Sequence, residues 1–130
     1  MNIGQAARHS GLSAKMIRYY ESIGLLRPAG RSDSGYRQYT AEELETLRFI
    51  RHARDVGFSL KQIERLLQLQ RNPQRSRREV KRITAEHIQV LAEKMSELQR
   101  MADTLQRWHD CCDGGEQADC LILNGLAAES

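Results

Sequence analysis

Apolar residues recur at helical spacing in two short segments at the start of the chain. Residues 3–9 and 14–23 are therefore predicted to be helices, with Gly11 in the turn between them and Ser13 as the N-cap of the second. Two short helices joined by a glycine-containing turn form a helix-turn-helix. The buried face of the second helix is predicted to consist of Met16, Ile17, Tyr20 and Ile23.

The next segment, residues 28–40, loses the helical spacing and carries β-prone tyrosines among proline and glycine residues. This composition predicts a small hairpin, or wing, with its tip at residues 33–35. Thr40 then caps a third helix that is predicted to end near residue 56, and Ser59 caps a fourth that ends near residue 70. The first 70 residues are therefore expected to form one winged helix-turn-helix domain.

A single long helix is predicted from residue 76 or 77 to about residue 108, because neither glycine nor proline interrupts this stretch. Its apolar positions alternate at spacings of four and three, as in a coiled coil, and no remaining segment is long enough to cover them. We therefore expect this helix to pair with that of a second copy, in an orientation that the pattern leaves open. The positions are Thr84, Ile88, Leu91, Met95, Leu98, Ala102 and Leu105.

The net charge of +3 hides an uneven distribution along the chain. Residues 1–60 carry nine Lys and Arg against six acids, residues 61–82 carry eight against two, and residues 83–130 carry three against nine. The basic N-terminal part predicts a polyanionic partner, and the acidic C-terminal part must have another role. No segment has the pattern of a signal peptide or a membrane span, so we expect a cytoplasmic protein without a membrane partner.

The predicted head presents basic residues where they could contact double-stranded DNA. A short helix with a basic outer face fits the major groove, and a basic wing with a glycine-containing tip can reach phosphates or the minor groove. The candidates are Lys15, Arg18 and Ser22 on the second helix, Arg31, Tyr36 and Arg37 in the wing, and a row of Arg48, Arg51 and Arg54 on the third helix.

The three cysteines of the chain all lie within ten residues near its C-terminus. Cys112 and Cys120 flank seven residues that include two glycines, so the chain can curl back and place two thiolates on opposite sides of a small loop. Two opposed sulfurs suit a monovalent d¹⁰ ion such as Cu(I), whereas Zn²⁺ normally takes four ligands, or three and a water.

Two other uses of these cysteines stay open. His109, Cys111, Cys112 and Cys120 could form a four-ligand site for Zn²⁺, Cd²⁺ or Hg²⁺, and Cys112 could form a redox-sensitive disulfide with Cys120. Three cysteines are too few for an iron–sulfur cluster. The sequence has no phosphate-binding glycine loop, catalytic triad or paired-carboxylate site, so we expect no enzymatic activity.

Three runs of the sequence carry a family resemblance. They are IRYYE-x-IGLL-x-P at residues 17–28, GYR-x-Y at residues 35–39 and R-x-A-x3-GFSL-x2-I at residues 51–63. In this register the chain resembles the MerR family of bacterial metal- and stress-responsive regulators over nearly its whole length. The resemblance implies a mainly α fold: a winged helix-turn-helix DNA-binding domain at 1–70, a long antiparallel coiled-coil dimerisation helix at 76–109, and a metal-binding loop with a short C-terminal helix at 110–130.

The resemblance also implies a mechanism. Such a homodimer sits on a pseudo-palindromic promoter with an over-long spacer and, with its effector bound, distorts the DNA so that RNA polymerase can use it. Carried over position by position, Arg18 and Tyr19 would contact DNA from the second helix, and Arg31, Tyr36 and Arg37 would contact it from the wing.

The C-x7-C loop resembles that of the copper-, silver- and gold-responsive branch of the family. This implies one Cu(I) per protomer on Cys112 and Cys120, with Ag(I) or Au(I) as mimics. The start of the long helix lacks the cysteine of divalent-sensing relatives, which favours the monovalent branch. The chain departs from the pattern of that branch at three positions. Arg77 stands where the branch has a small serine, Leu121 stands where it commonly has a proline, and Cys111 is an additional cysteine next to Cys112. A divalent-ion regulator and a metal-independent DNA-bending protein are the alternatives.

Overall fold

The computed structural model describes residues 1–27, 30, 31, 35, 37–112, 114 and 120–128. These residues form two compact units, Met1–Val80 and Lys81–Ser130. The elements, in chain order, are α1 (Ile3–Ser10), α2 (Ala14–Ser22), β1 (Gly30–Arg31), β2 (Arg37–Gln38), α3 (Ala41–Asp55), α4 (Leu60–Arg71), α5 (Arg77–Cys111) and α6 (Leu121–Ala127). The predicted mainly helical fold with a winged helix-turn-helix is confirmed.

Polar N-caps determine where the first four helices begin. The side chains of Asn2, Ser13, Thr40 and Ser59 each accept a hydrogen bond from a backbone N–H in the first turn of the following helix. The predicted caps at Ser13, Thr40 and Ser59 are therefore confirmed. Gly11 ends α1 with a φ of 78°, a left-handed conformation that glycine adopts without a steric penalty, and this lets the chain turn into α2.

The core of the unit Met1–Val80 lies between α1, α2, α3 and α4. Ile17 and Tyr20 are buried as predicted, and Met16 packs against the core, but the prediction for Ile23 was wrong. Because α2 ends at Ser22, Ile23 is its C-cap and leaves the buried face, with 44% of its surface exposed. The buried core consists of Ala6, Ile17, Tyr20, Leu25, Leu26, Tyr39, Leu47, Ile50, Ala53, Ile63 and Leu67.

The predicted wing is observed as a short antiparallel ladder. Gly30 pairs with Gln38 and Arg31 pairs with Arg37. Gly35 has a φ of 86°, as a turn residue at the tip requires. The rest of the predicted tip, residues 33 and 34, lies outside the described residues.

The long predicted helix is observed as α5, which ends at Cys111, three residues beyond the expected end. Its heptad positions are exposed along the described chain, with Met95 at 70% and Leu98 at 63%. Pairing of this helix with a second copy stays a prediction. None of the helices that the structure describes is both long enough and apolar enough to span a membrane.

Candidate functional site

The outer face of α2 carries three of the predicted DNA contacts. Lys15, Arg18 and Tyr19 are all exposed, whereas Ile17 and Tyr20 face the core. The Tyr19 ring centroid lies 5.9 Å from that of Tyr20 at an interplanar angle of 51°, so a buried aromatic supports the exposed one. This face can therefore offer two cations and a phenol hydroxyl to phosphates or base edges.

The predicted basic row on α3 divides into two structural roles. The Arg48 Nε–H donates to the His9 carbonyl at 3.3 Å, and Arg51 Nη1 donates to the Gly11 carbonyl at 2.5 Å. Arg51 also forms an ion pair with Asp55 at 3.1 Å. Two cations of the predicted basic row, Arg48 and Arg51, therefore satisfy carbonyls at the end of α1 and in the following turn, and a DNA contact from this row stays a prediction. Arg54 is exposed in the last turn of α3.

The wing arginines occupy opposite positions in the ladder. Arg31 of β1 and Arg37 of β2 are backbone partners, so two cationic residues meet in a ladder only two pairs long. Tyr36, the third predicted wing contact, lies outside the described residues.

Tyr39, to which the sequence analysis assigned no role, holds the base of the wing. Tyr39 follows β2 directly and is only 2% exposed. Its hydroxyl donates to Glu21 Oε1 on α2, and its backbone N–H donates to the Met1 carbonyl at 2.6 Å. One buried residue thus connects the wing, α2 and the start of the chain.

An ion pair joins α4 to the first turn of α5. Arg65 donates from Nε and Nη2 to the two carboxylate oxygens of Glu79, at 2.7 and 2.8 Å. The hydrogen bond to Glu79 raises the pKa of Arg65 above its ordinary value, so the guanidinium keeps its charge. Arg77, the first residue of α5, is exposed.

The predicted metal ligands lie at the ends of two helices in the unit Lys81–Ser130. Cys112 follows the last residue of α5, and its backbone N–H donates to the Trp108 carbonyl at 3.1 Å. Cys120 is the N-cap of α6, and its carbonyl accepts from the Asn124 N–H at 2.9 Å. Both cysteines are partly buried. Two soft donors are therefore held by regular structure on either side of the loop.

The additional candidates, Cys111 and His109, are more exposed. Cys111 is the last residue of α5 and lines a groove of about 410 Å³ with Trp108 and Gly125. The His109 side chain is 78% exposed, and its Nδ1 lies 3.8 Å from Asp110 Oδ1. In the part of the chain that the structure describes, no three or more His, Cys, Asp or Glu side chains form a group that could hold a metal ion. His109, Cys111, Cys112 and Cys120 are therefore not brought together as a four-ligand group among the described residues.

A close contact between α6 and α5 was missed by the sequence reasoning. A Cβ on Gly125 would lie 2.8 Å from Trp108 Cε2 and 2.9 Å from Cζ2, so only glycine allows α6 to lie this near the indole. The available signal was the glycine itself, since an isolated glycine in a helical pattern costs about 1 kcal/mol relative to alanine and often has a packing reason. The contact fixes α6, and with it Cys120, on the end of α5.

Two family descriptions match this chain. The family described as MerR HTH family regulatory protein matches residues 1–70, and that described as MerR, DNA binding matches residues 44–108. Together the two matches cover α1 to α5 except the last three residues of α5.

Similar proteins share nearly the full length of the chain. A probable heavy metal-dependent transcriptional regulator of Haemophilus influenzae is 58% identical over 97% of this chain and 98% of its own. The HTH-type transcriptional regulator CueR of Escherichia coli is 41% identical over 98% of this chain and 94% of its own. The crystal structure of the transcription regulator PbrR691 from Ralstonia metallidurans in complex with lead(II) superposes with a TM-score of 0.84, at 34% identity over 98% of this chain and 99% of that one.

Proposed function

Because this chain belongs to the MerR family of helix-turn-helix regulatory proteins, we propose that it is a transcription activator that responds to monovalent copper. The family consists of DNA-binding regulators, so the prediction that the chain is not an enzyme is confirmed. In this proposal the protein is a homodimer that binds promoter DNA. Once Cys112 and Cys120 of each protomer hold one Cu(I), the dimer distorts the DNA so that RNA polymerase can use it.

The DNA-binding part of the proposal is supported by the exposed face of α2. Lys15, Arg18 and Tyr19 project from a helix whose opposite side is fixed in the core. Cations on such a helix grip phosphates or read guanine edges in the major groove. Arg54 would add a contact from α3, and Arg31, Tyr36 and Arg37 would add contacts from the wing.

The dimer is supported by the exposed stripe of α5. Ile88, Leu91, Met95, Leu98 and Leu105 repeat at coiled-coil spacing, and each is more than one-third exposed. Exposing a row of large apolar side chains along one helix is unfavourable, and a second copy of α5 would cover it. A two-fold dimer would then present two α2 helices to two half-sites.

The copper proposal is carried by a single observation, the placement of two free cysteines at the facing ends of the loop between α5 and α6. The donor pair consists of Cys112 at the end of α5 and Cys120 at the start of α6. Soft thiolates prefer Cu(I), and a monovalent d¹⁰ ion is satisfied by two of them in linear coordination. Ag(I) and Au(I) would act as mimics. Relatives named as heavy metal-dependent regulators support metal response in general, and the two-sulfur donor set supports copper within it.

The test is a metal-binding and transcription series on four variants. Cys112→Ser and Cys120→Ser should each abolish Cu(I) binding and activation, while affinity for an operator selected from a random duplex library stays unchanged. Cys111→Ser and His109→Ala are the matched controls, because they lie beside the proposed ligands and should retain both activities. X-ray absorption at the copper edge should show two sulfur ligands and no nitrogen.

Each alternative predicts a different result in the same series. Loss of metal binding in Cys111→Ser or His109→Ala, with zinc bound by three sulfurs and one nitrogen, would replace this proposal with a divalent-ion regulator. Full activation in Cys112→Ser and Cys120→Ser would instead indicate a metal-independent DNA-bending protein. Loss of operator affinity in the cysteine variants would contradict the separation of sensing from DNA binding.

A further inference from the structure

We propose that Tyr39 and Glu21 form a positioning pair that sets the wing against α2, so that both engage the same half-site. This inference rests on the proposed DNA-binding function. Tyr39 itself need not touch DNA, because its ring is buried in the core. Its contribution to DNA binding would act through the wing residues that precede it.

The part of the wing that the structure describes is a short ladder. This ladder contains only two residue pairs, Gly30 with Gln38 and Arg31 with Arg37. An isolated two-stranded hairpin is marginally stable at best. The orientation of the wing must therefore depend on how its base is attached to the rest of the unit Met1–Val80.

Tyr39 provides that attachment at the end of β2. The residue lies between Gln38, the last residue of β2, and Thr40, the N-cap of α3. Its ring belongs to the same core cluster as Ile17 and Tyr20, the two buried residues of α2. The strand that carries Arg37 is thus anchored by a side chain in contact with the core beneath α2.

The hydroxyl of Tyr39 makes this anchor specific for α2. It donates to the carboxylate of Glu21, which lies on the same helix as the proposed DNA contacts Arg18 and Tyr19. A buried phenol that donates to a charged acceptor fixes both direction and distance, whereas a ring packed by area alone can slide. The hydrogen bond therefore fixes the position of the wing base relative to the DNA-facing helix.

A double-mutant cycle distinguishes positioning from general stabilisation. Operator affinity is measured by fluorescence anisotropy for Tyr39→Phe, Arg37→Ala and the double variant, with one duplex selected from a random library. Arg37→Ala should weaken binding about tenfold in the otherwise unchanged protein, and only about twofold in the Tyr39→Phe background, because a displaced wing has lost its phosphate contact already. Lys15→Ala is the matched control, because it removes a cation from α2. It should reduce operator affinity by the same factor with Tyr39 present and in the Tyr39→Phe protein.

A second variant protects the test against a folding defect. Glu21→Ala removes the acceptor but leaves the buried ring in place, and it should reproduce the loss of coupling with Arg37. If Arg37→Ala reduced operator affinity by the same factor in the unaltered, Tyr39→Phe and Glu21→Ala proteins, the positioning pair would be overturned. If Arg37→Ala had no effect even in the otherwise unchanged protein, the wing contact of the proposed function would fail, and the pair would fail with it.

Discussion

The contact between Trp108 and Gly125 makes a sharp prediction for Gly125→Ala. The new methyl carbon would lie 2.8 Å from Cε2 of the indole, whereas ordinary contact begins at 3.4 Å. The two atoms nearest to this methyl carbon belong to the rigid indole ring and not to the end of a flexible side chain. A small torsional change in Trp108 therefore cannot relieve the contact. Either the Trp108 ring rotates or α6 moves off α5.

The size of the effect is the difference between two terms. Alanine favours the helix over glycine by about 1 kcal/mol. Overpacking a close contact costs typically about 1–3 kcal/mol. The docking of α6 should therefore weaken by about 1 kcal/mol, which corresponds to roughly a fivefold shift toward the undocked arrangement.

Tryptophan fluorescence measures this shift directly, because Trp108 is the only tryptophan in the chain. Gly125→Ala should move the emission maximum to longer wavelength and increase quenching by acrylamide, since the indole loses its cover. Ala127→Ser is the matched control, because it adds one heavy atom to an exposed position of the same helix. Unchanged emission and quenching in Gly125→Ala would refute the packing argument.

Three further predictions address the unit Met1–Val80. Ser13→Ala removes the side-chain acceptor of the Met16 N–H and should lower the free energy of unfolding by about 1 kcal/mol, measured by urea denaturation; an unchanged midpoint would contradict the capping role. Arg54→Ala should leave unfolding within about 0.5 kcal/mol but reduce the salt dependence of operator binding by about one unit of slope, and an unchanged slope would remove Arg54 from the DNA contacts. Glu79→Gln breaks the exposed ion pair with Arg65 and should lower the Tm at low salt. The difference in Tm from the unaltered protein should shrink as NaCl approaches about 1 M. A decrease in Tm that does not depend on the salt concentration would mean that the pair acts through packing.

The parts of the fold that could be predicted from the sequence are those set by local rules. The caps at Ser13, Thr40 and Ser59 were predictable because a polar side chain satisfies a backbone N–H three residues later. The end of α2 was harder, since Ile23 fits the helical spacing and yet lies one residue past the last turn. Periodicity identifies a helix more reliably than it identifies the residue at which the helix ends.

Long-range contacts explain what the sequence reasoning missed in the candidate sites. The sequence placed Arg51 in a basic row but could not indicate its hydrogen bond to the carbonyl of Gly11, which lies forty positions away. The pairing of Tyr39 with Glu21 has the same character. The cysteines could be singled out as candidate ligands from the sequence because thiolate chemistry indicates a use before the surroundings are known. An arginine or tyrosine can bind a partner at the surface or form hydrogen bonds within the protein, and only the fold shows which contacts it makes.

These contacts also bear on which element the proposed metal response could move. A ligand shifts an equilibrium only by its difference in affinity for the two arrangements, and complete reversal from 1:99 to 99:1 takes about 5.5 kcal/mol. Disrupting the core around Ile17 and Tyr20 would cost most of the stability of a domain, about 5–15 kcal/mol, so metal binding could not reasonably use it. Among the described residues, Gly125 of α6 lies against the Trp108 indole of α5, and Cys120 is the N-cap of α6. On the proposed function, a bond made at Cys120 would act on the start of α6 and leave the core around Ile17 and Tyr20 unchanged.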